Sequence, residues 1–281
     1  MSAQQTKKEG VVGRRRTPWP LAVVAVLFVV VPFLTWYWTW FGRTLSDEEI
    51  EKYLSEGKPR HTQHALSQIA ERIEKGVPDA GRWNAKVVGL ASNPSPDVRM
   101  TAAWVMGVEH RSEEFHAALL KLVEDPEPIV RRNAALALVR FGDPRCRTEL
   151  LAMLRPYPVV ARTEGKALTA LTAGSNVKRE SLLVRYTTKP DMTEEIRSPL
   201  PGVIERALVK DGDSWRAGAE LFVIAPEAVQ ASDALLGLAY FGAPEDVPEV
   251  ERFAAAAESD ELKRKAALTA EAIKRRASPN R

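Results

Sequence analysis

A single cysteine, Cys146, in 281 residues excludes an intrachain disulfide framework and a thiolate metal cluster. Histidine is scarce as well, with four copies. His61 and His64 stand three apart near a helix start and could share a face. A zinc site wants a third and a fourth ligand, and no Cys/His cluster accompanies them, so they read as surface residues. His110 and His116 fall in the turn and helix between repeat helices and read as structural or exposed. No phosphate-binding loop, dinucleotide fingerprint, nucleophile elbow, paired-histidine metalloprotease motif or haem-attachment motif occurs. Cys146 has no activating base nearby in sequence, and the acid pairs Glu113-Glu114 and Glu194-Glu195 read as surface charge. The expectation is no catalytic residue, no metal ligand, no cofactor and no small-molecule substrate.

Charge is also absent from residues 19–41, WPLAVVAVLFVVVPFLTWYWTWF. At 1.5 Å per residue this stretch reaches roughly 34 Å, enough to cross a bilayer core with some tilt. Trp19 at one end and Trp36, Tyr37, Trp38 and Trp40 at the other match the two aromatic belts of a membrane span. Aromatic residues occupy the place where a cleavable signal peptide needs small ones, so an uncleaved anchor is expected. Before it, Lys7, Lys8, Arg14, Arg15 and Arg16 against Glu9 give the first 16 residues +4, so the rest of the chain carries −1 of the net +3. The basic balance is thus a property of a polar tail and not a nucleic-acid footprint. Basic residues before the span and Asp47, Glu48, Glu49 and Glu51 after it predict a cytoplasmic N-terminus and an extracytoplasmic body.

Past the span, Ser46 with Glu49 has capping-box spacing and should open a helix. Pro59 separates it from a second helix carrying Ala65, Leu66, Ile69 and Ile73. A third carries Trp83, Val87, Val88 and Leu90 at helical spacing. Then comes an internal repeat with a period of 32. Val98-Arg99 answers to Val130-Arg131 and Ala102-Ala103 to Ala134-Ala135, with Asp-Pro turns at Asp125-Pro126 and Asp143-Pro144. This VR…AA pattern resembles HEAT repeats of the short, phycobilisome-lyase-like type. The resemblance implies stacked helix pairs and carries no lyase activity with it. The pattern returns at 234–244, an offset of one hundred from 134–144, and residues 259–276 read as a last amphipathic helix.

Between these arms, residues 159–226 hold one β motif written twice. Val159 answers to Ile196, Gly165 to Gly202, Gly174 to Gly212, Val177 to Trp215, and Leu182-Leu183-Val184 to Leu221-Phe222-Val223. The runs are short, β-rich and punctuated by glycine and polar turns. The second copy, through Ser198-Pro199, Gly202, Val209-Lys210-Asp211-Gly212-Asp213, Gly218, Leu221 and Ile224, resembles the biotinyl/lipoyl-carrier domain and the unmodified barrel-sandwich hybrids of periplasmic adaptor proteins. In the first copy Glu180 stands where glycine is usual. The resemblance implies a lysine at the tip of the hairpin joining the halves. Counted forward from Leu182, Lys189 falls there; counted backward from Ile196, Asp191 does. Pro190 follows the lysine and neither carrier flank is present, so Lys189 reads as a solvated lysine in a turn.

The fold class expected is α+β: an N-terminal transmembrane helix, an α-solenoid of HEAT-like helix pairs, and a small all-β barrel-sandwich hybrid inserted before the last helix pair. The divisions are a disordered basic tail at 1–16, the transmembrane helix at 17–42, helical repeats at 45–156, the barrel at 158–226 and a C-terminal helix pair at 228–277. The function expected is that of a non-catalytic, membrane-anchored scaffold or adaptor in a bacterial envelope, binding another envelope or membrane protein. Two alternatives stand beside it: an adaptor subunit of an export system, and a biotin or lipoate carrier at Lys189. Packing of the segment with Leu150, Leu151 and Leu154 on the one with Leu235, Leu236, Leu238 and Phe241 is expected if the β module interrupts one helical stack.

Overall fold

A computed structural model describes residues 19–40, 44–189 and 192–278, so the basic tail at 1–16 lies outside the described residues. The chain divides into two units, 1–46 and 47–281. The first holds helix α1 (Trp19–Trp40), uncharged throughout, with Pro32 inside it. Its described side chains, Trp19 and most of 23–34, are exposed, so it is apolar without a polar face. Over the described residues no helix meets the length and hydropathy of a membrane span. The expected transmembrane helix therefore rests on the sequence of α1.

In the second unit, helices α2 (Asp47–Ser55), α3 (Pro59–Glu74), α4 (Asn84–Gly89), α5 (Pro96–Val108), α6 (Glu113–Leu122), α7 (Pro128–Phe141) and α8 (Arg147–Ala152) precede the β module. Helices α9 (Ala228–Phe241), α10 (Val247–Ala256) and α11 (Asp260–Ala277) follow it. Proline at the first position starts α3, α5 and α7, where its fixed φ suits the helix and its missing N–H costs nothing. Ser112 caps α6 by accepting from Phe115 N–H, and Glu227 caps α9 by accepting from Gln230 N–H. The expected third helix is shorter than its pattern: Trp83 closes a 3-10 turn (Ala80–Trp83), and α4 spans two turns.

The repeat arginines fix the stacking. Arg99 Nη1 donates to the carbonyls of Asn93 and Pro94, and its Nε and Nη2 reach the two oxygens of Asp125 at 2.7 and 2.9 Å. Arg131, 32 residues on, repeats this with the carbonyls of Asp125 and Pro126 and with Glu149 Oε2. Each arginine therefore ties the turn before its own helix to the next repeat. The outcome is one layer in which α3, α5, α7, α9 and α11 are successive neighbours. Helix α6 backs α5 and α7, and α10 backs α11.

The β module corrects one expectation: it is not a closed barrel. Strands β1 (Tyr157–Val160), β2 (Gly165–Ala170), β3 (Asn176–Val177), β4 (Leu182–Lys189), β5 (Met192–Arg197), β6 (Gly202–Ala207), β7 (Ser214–Trp215) and β8 (Glu220–Ala225) form two open four-stranded antiparallel sheets. Their orders are β1-β8-β6-β3 and β5-β4-β2-β7, so exchanging the two sequence copies exchanges the sheets. With two-residue strands β3 and β7 at the edges, too little pairing remains to close the rims. Phe222, Val184, Ile204, Leu183 and Ile224 fill the space between them. Glu180 holds φ +65°, the left-handed turn that Gly218 makes in the second copy at +85°.

Strand β1 pairs with β8, Tyr157 opposite Ile224, which brings the two ends of the insertion together. Helix α9 can then pack on α8 and α7. The closest approach is at Gly237, where a Cβ would lie 2.7 Å from Leu150 Cδ1 and 2.9 Å from Val139 Cγ2. Arg147 bridges the same seam to Asp246 and Glu245. One helical stack thus continues across the insertion.

Candidate protein-interaction surface

Helices α5, α7, α9 and α11 begin at 96, 128, 228 and 260, so their residues correspond position by position. The ninth position of each is Trp104, Leu136, Leu236 and Leu268. The flanking residues Ala103, Val105, Ala135, Ala137 and Leu235 are buried against neighbouring helices. That leaves one narrow face of α5, α7 and α9 open, whereas α11, last in the layer, is exposed more widely, Ala267 included. Trp104 is 42% exposed, Leu236 60% and Leu268 58%, and Leu136 is half-buried. One turn on, Tyr240 is 65% exposed. Four large apolar side chains at one position of four neighbouring helices form a ridge, Leu236 and Leu268 meeting at one cavity, unlike the single exposed leucines normal on a protein surface.

Beside the ridge a cavity of about 380 Å³ opens between α9 and α11, lined by Leu236, Ala239, Leu268 and Ala272, with Asp233 and Lys265 on its rim. Burial pushes the Asp233 carboxyl up from the ordinary value. Lys265 donates to Ser232 Oγ at 2.8 Å and pairs with Glu261 at 2.7 Å. Toward the C-terminal ends of the helices stand Arg140, which donates to the Gly107 carbonyl at 3.5 Å, and Arg276, which donates to the carbonyls of Ala239 and Gly242.

An ion pair of Arg179 with Asp97 joins the β module to the first turn of α5. At the root of the insertion Arg132, buried in α7, donates to Gln230 Oε1 at 2.7 Å. Its Nε has no hydrogen-bond partner, with Glu149 4.0 Å away. Burial lowers the Arg132 pKa and raises that of Glu149.

Among the described residues, those singled out in the sequence fall at separate places, apart from His61 and His64, which share the ring of Tyr53. Lys189 ends β4 and pairs with Met192 of β5; Pro190 and Asp191 lie outside the described residues. His61 Nδ1 donates to the Glu56 carboxylate at 2.8 Å, and the ring stacks on Tyr53, 4.4 Å between centroids. His64 is tilted against the same ring, 6.2 Å between centroids. His116 bonds Asp143 at 2.7 Å and stacks on Phe141. His110 lines a separate hollow with Glu74, Val108 and Arg140. No group of three metal-binding side chains forms among the described residues. Cys146 is buried, and burial pushes its thiol up to about 12, far from a thiolate nucleophile.

Comparison with known proteins agrees with the helical layer. The HEAT repeats family model matches residues 85–169, from α4 through α8 into the first strands. The chain is a helical-repeat protein. A TPR repeat-containing protein of Pseudomonas aeruginosa, PA4299, is 38% identical over 138 residues, covering 46% of this chain and 54% of that protein. The chain therefore spans about half the length of this relative. Repeat proteins of stacked helix pairs present extended faces, and the column lies along one side of such a stack. The ridge is missed by residue-type reasoning because none of its members carries chemistry. Aligning the 32-residue period across the insertion would have put all four in one column.

Proposed function

We propose that the protein is a non-catalytic, membrane-anchored scaffold that binds another protein on the exposed face of its helical layer. The observation that carries the reading is the column Trp104, Leu136, Leu236 and Leu268, open on four successive helices of a repeat protein. The uncharged sequence of α1 supports the anchor, and the charge asymmetry around it supports a cytoplasmic N-terminus with the body in the periplasm. The exchange of strands between the two sheets supports the likeness of the β module to the unmodified barrel-sandwich hybrids, used here as a second docking element fixed to the stack by Arg179.

The binding reading is tested by affinity purification of the full chain from solubilised native membranes. Leu236→Arg with Leu268→Arg should remove at least one protein that copurifies with the wild-type chain, while circular dichroism of the variant is unchanged. An identical set of copurifying proteins would overturn it. The topology is tested by protease treatment of intact spheroplasts, which should digest an epitope placed after Arg281; protection of that epitope until lysis would reverse the orientation.

A further inference from the structure

We infer that the partner presents an amphipathic α-helix lying across α5, α7, α9 and α11, with an apolar side chain at about every seventh residue and carboxylates along one flank. The inference rests on the scaffold reading and specifies the occupant of its surface. Neighbouring packed helices stand about 8–10 Å apart. A partner helix rising 1.5 Å per residue crosses the wide end of that spacing in just under seven residues, at roughly 10 Å. Seven residues is close to two turns, so Trp104, Leu136, Leu236 and Leu268 would all be met by one stripe of the partner. An extended segment rising about 3.3 Å per residue would meet them at every third residue. That odd spacing turns alternate side chains away, so a strand cannot satisfy four successive ridge positions. The insertion does not break the spacing, because α7 and α9 are packed neighbours despite the 86 residues between Phe141 and Ala228.

Charge selects the partner's flank. Arg140 and Arg276 border the ridge toward the helix C-termini, and neither forms an ion pair with a carboxylate among the described residues. Glu74 lines the hollow beside Arg140 without pairing to it. Lys265 is already engaged by Glu261, and Asp233 beside it feels the charges of both Lys265 and Arg140 without forming an ion pair with Arg140. A helix with Asp or Glu toward Arg140 and Arg276, and with no acid facing Asp233, complements this distribution of charge.

The test places a photoreactive phenylalanine analogue at Trp104, Leu236 and Leu268 in turn in the full chain in native membranes, and maps the adducts by peptide mass spectrometry. The expected result is one partner segment, with the Leu236 and Leu268 adducts about seven residues apart and the Trp104 adduct about twenty from that of Leu268. Arg140→Glu should reduce adduct yield at least threefold. Adducts two or three residues apart, adducts on a second copy of this chain, or lipid adducts alone would overturn the helix while leaving ridge-dependent copurification standing. Absence of protein adducts at all three positions, together with an unchanged set of copurifying proteins, would overturn both readings.

Discussion

Replacing Gly165 with alanine is expected to cost about 3 kcal/mol, because two aromatic rings close on it in the β module. A Cβ there would lie 2.3 Å from Tyr186 Cδ2 and 3.0 Å from Trp215 Cζ2. Neither ring is free to retreat. The Tyr186 hydroxyl bonds Glu194 at 2.7 Å and Thr163 at 3.2 Å, and Trp215 Nε1 donates to the Thr163 carbonyl at 3.0 Å. Both rings also belong to the buried core between the sheets. Relief would need strand β2 to move from its pairing with β4 and β7. For a unit of this size the loss corresponds to a fall of roughly 6–12 °C in melting temperature, read by circular dichroism of the detergent-solubilised chain. A change within about 1 °C would show that the rings yield freely, and the packing argument would fail.

A second large effect is expected from Asp125→Ala, which removes the acceptor that joins two repeats. Asp125 is buried, takes both remaining donors of Arg99, and accepts from Glu127 N–H at 2.9 Å. Without it the Arg99 guanidinium, itself mostly buried, keeps only the carbonyls of Asn93 and Pro94. Removing one member of a buried charged pair typically costs about 3–5 kcal/mol, because the charge left behind is desolvated and unpaired. Asp125→Asn retains an acceptor for Glu127 N–H and for one guanidinium nitrogen, so its loss should be about half as large. Urea unfolding of the full chain measures both. Equal losses for the two variants would point to packing, and a loss under about 1 kcal/mol for Asp125→Ala would remove Arg99 from the joint.

Much of the architecture was legible because its determinants are local. Proline at 96 and 128, the paired alanines and the VR dipeptides recur within one period, and each acts on its own helix or the adjoining turn. The doubled β motif was legible for the same reason, since its glycines and short apolar runs set turns and strands within a few residues. The expected packing across the insertion is present, with Leu150 against Gly237. The β resemblance, by contrast, suggested closure, and the structure has two open sheets because strands β3 and β7 pair over only two residues each.

The amino-acid sequence by itself determined the helix phases, the period of 32 and the duplicated strands, because hydrophobic spacing, proline and glycine act over one or two turns of chain. Only the tertiary structure decided that the column Trp104, Leu136, Leu236 and Leu268, which the repeat period groups, is left uncovered, and that Lys189 ends a strand opposite Met192. Those outcomes depend on contacts between residues up to about one hundred positions apart, such as Arg132 with Gln230 and Arg147 with Asp246. Such contacts form only where β1 pairs with β8 and closes the intervening loop; the doubled β motif made that closure expectable, while the side chains it brings together are settled by packing between distant segments.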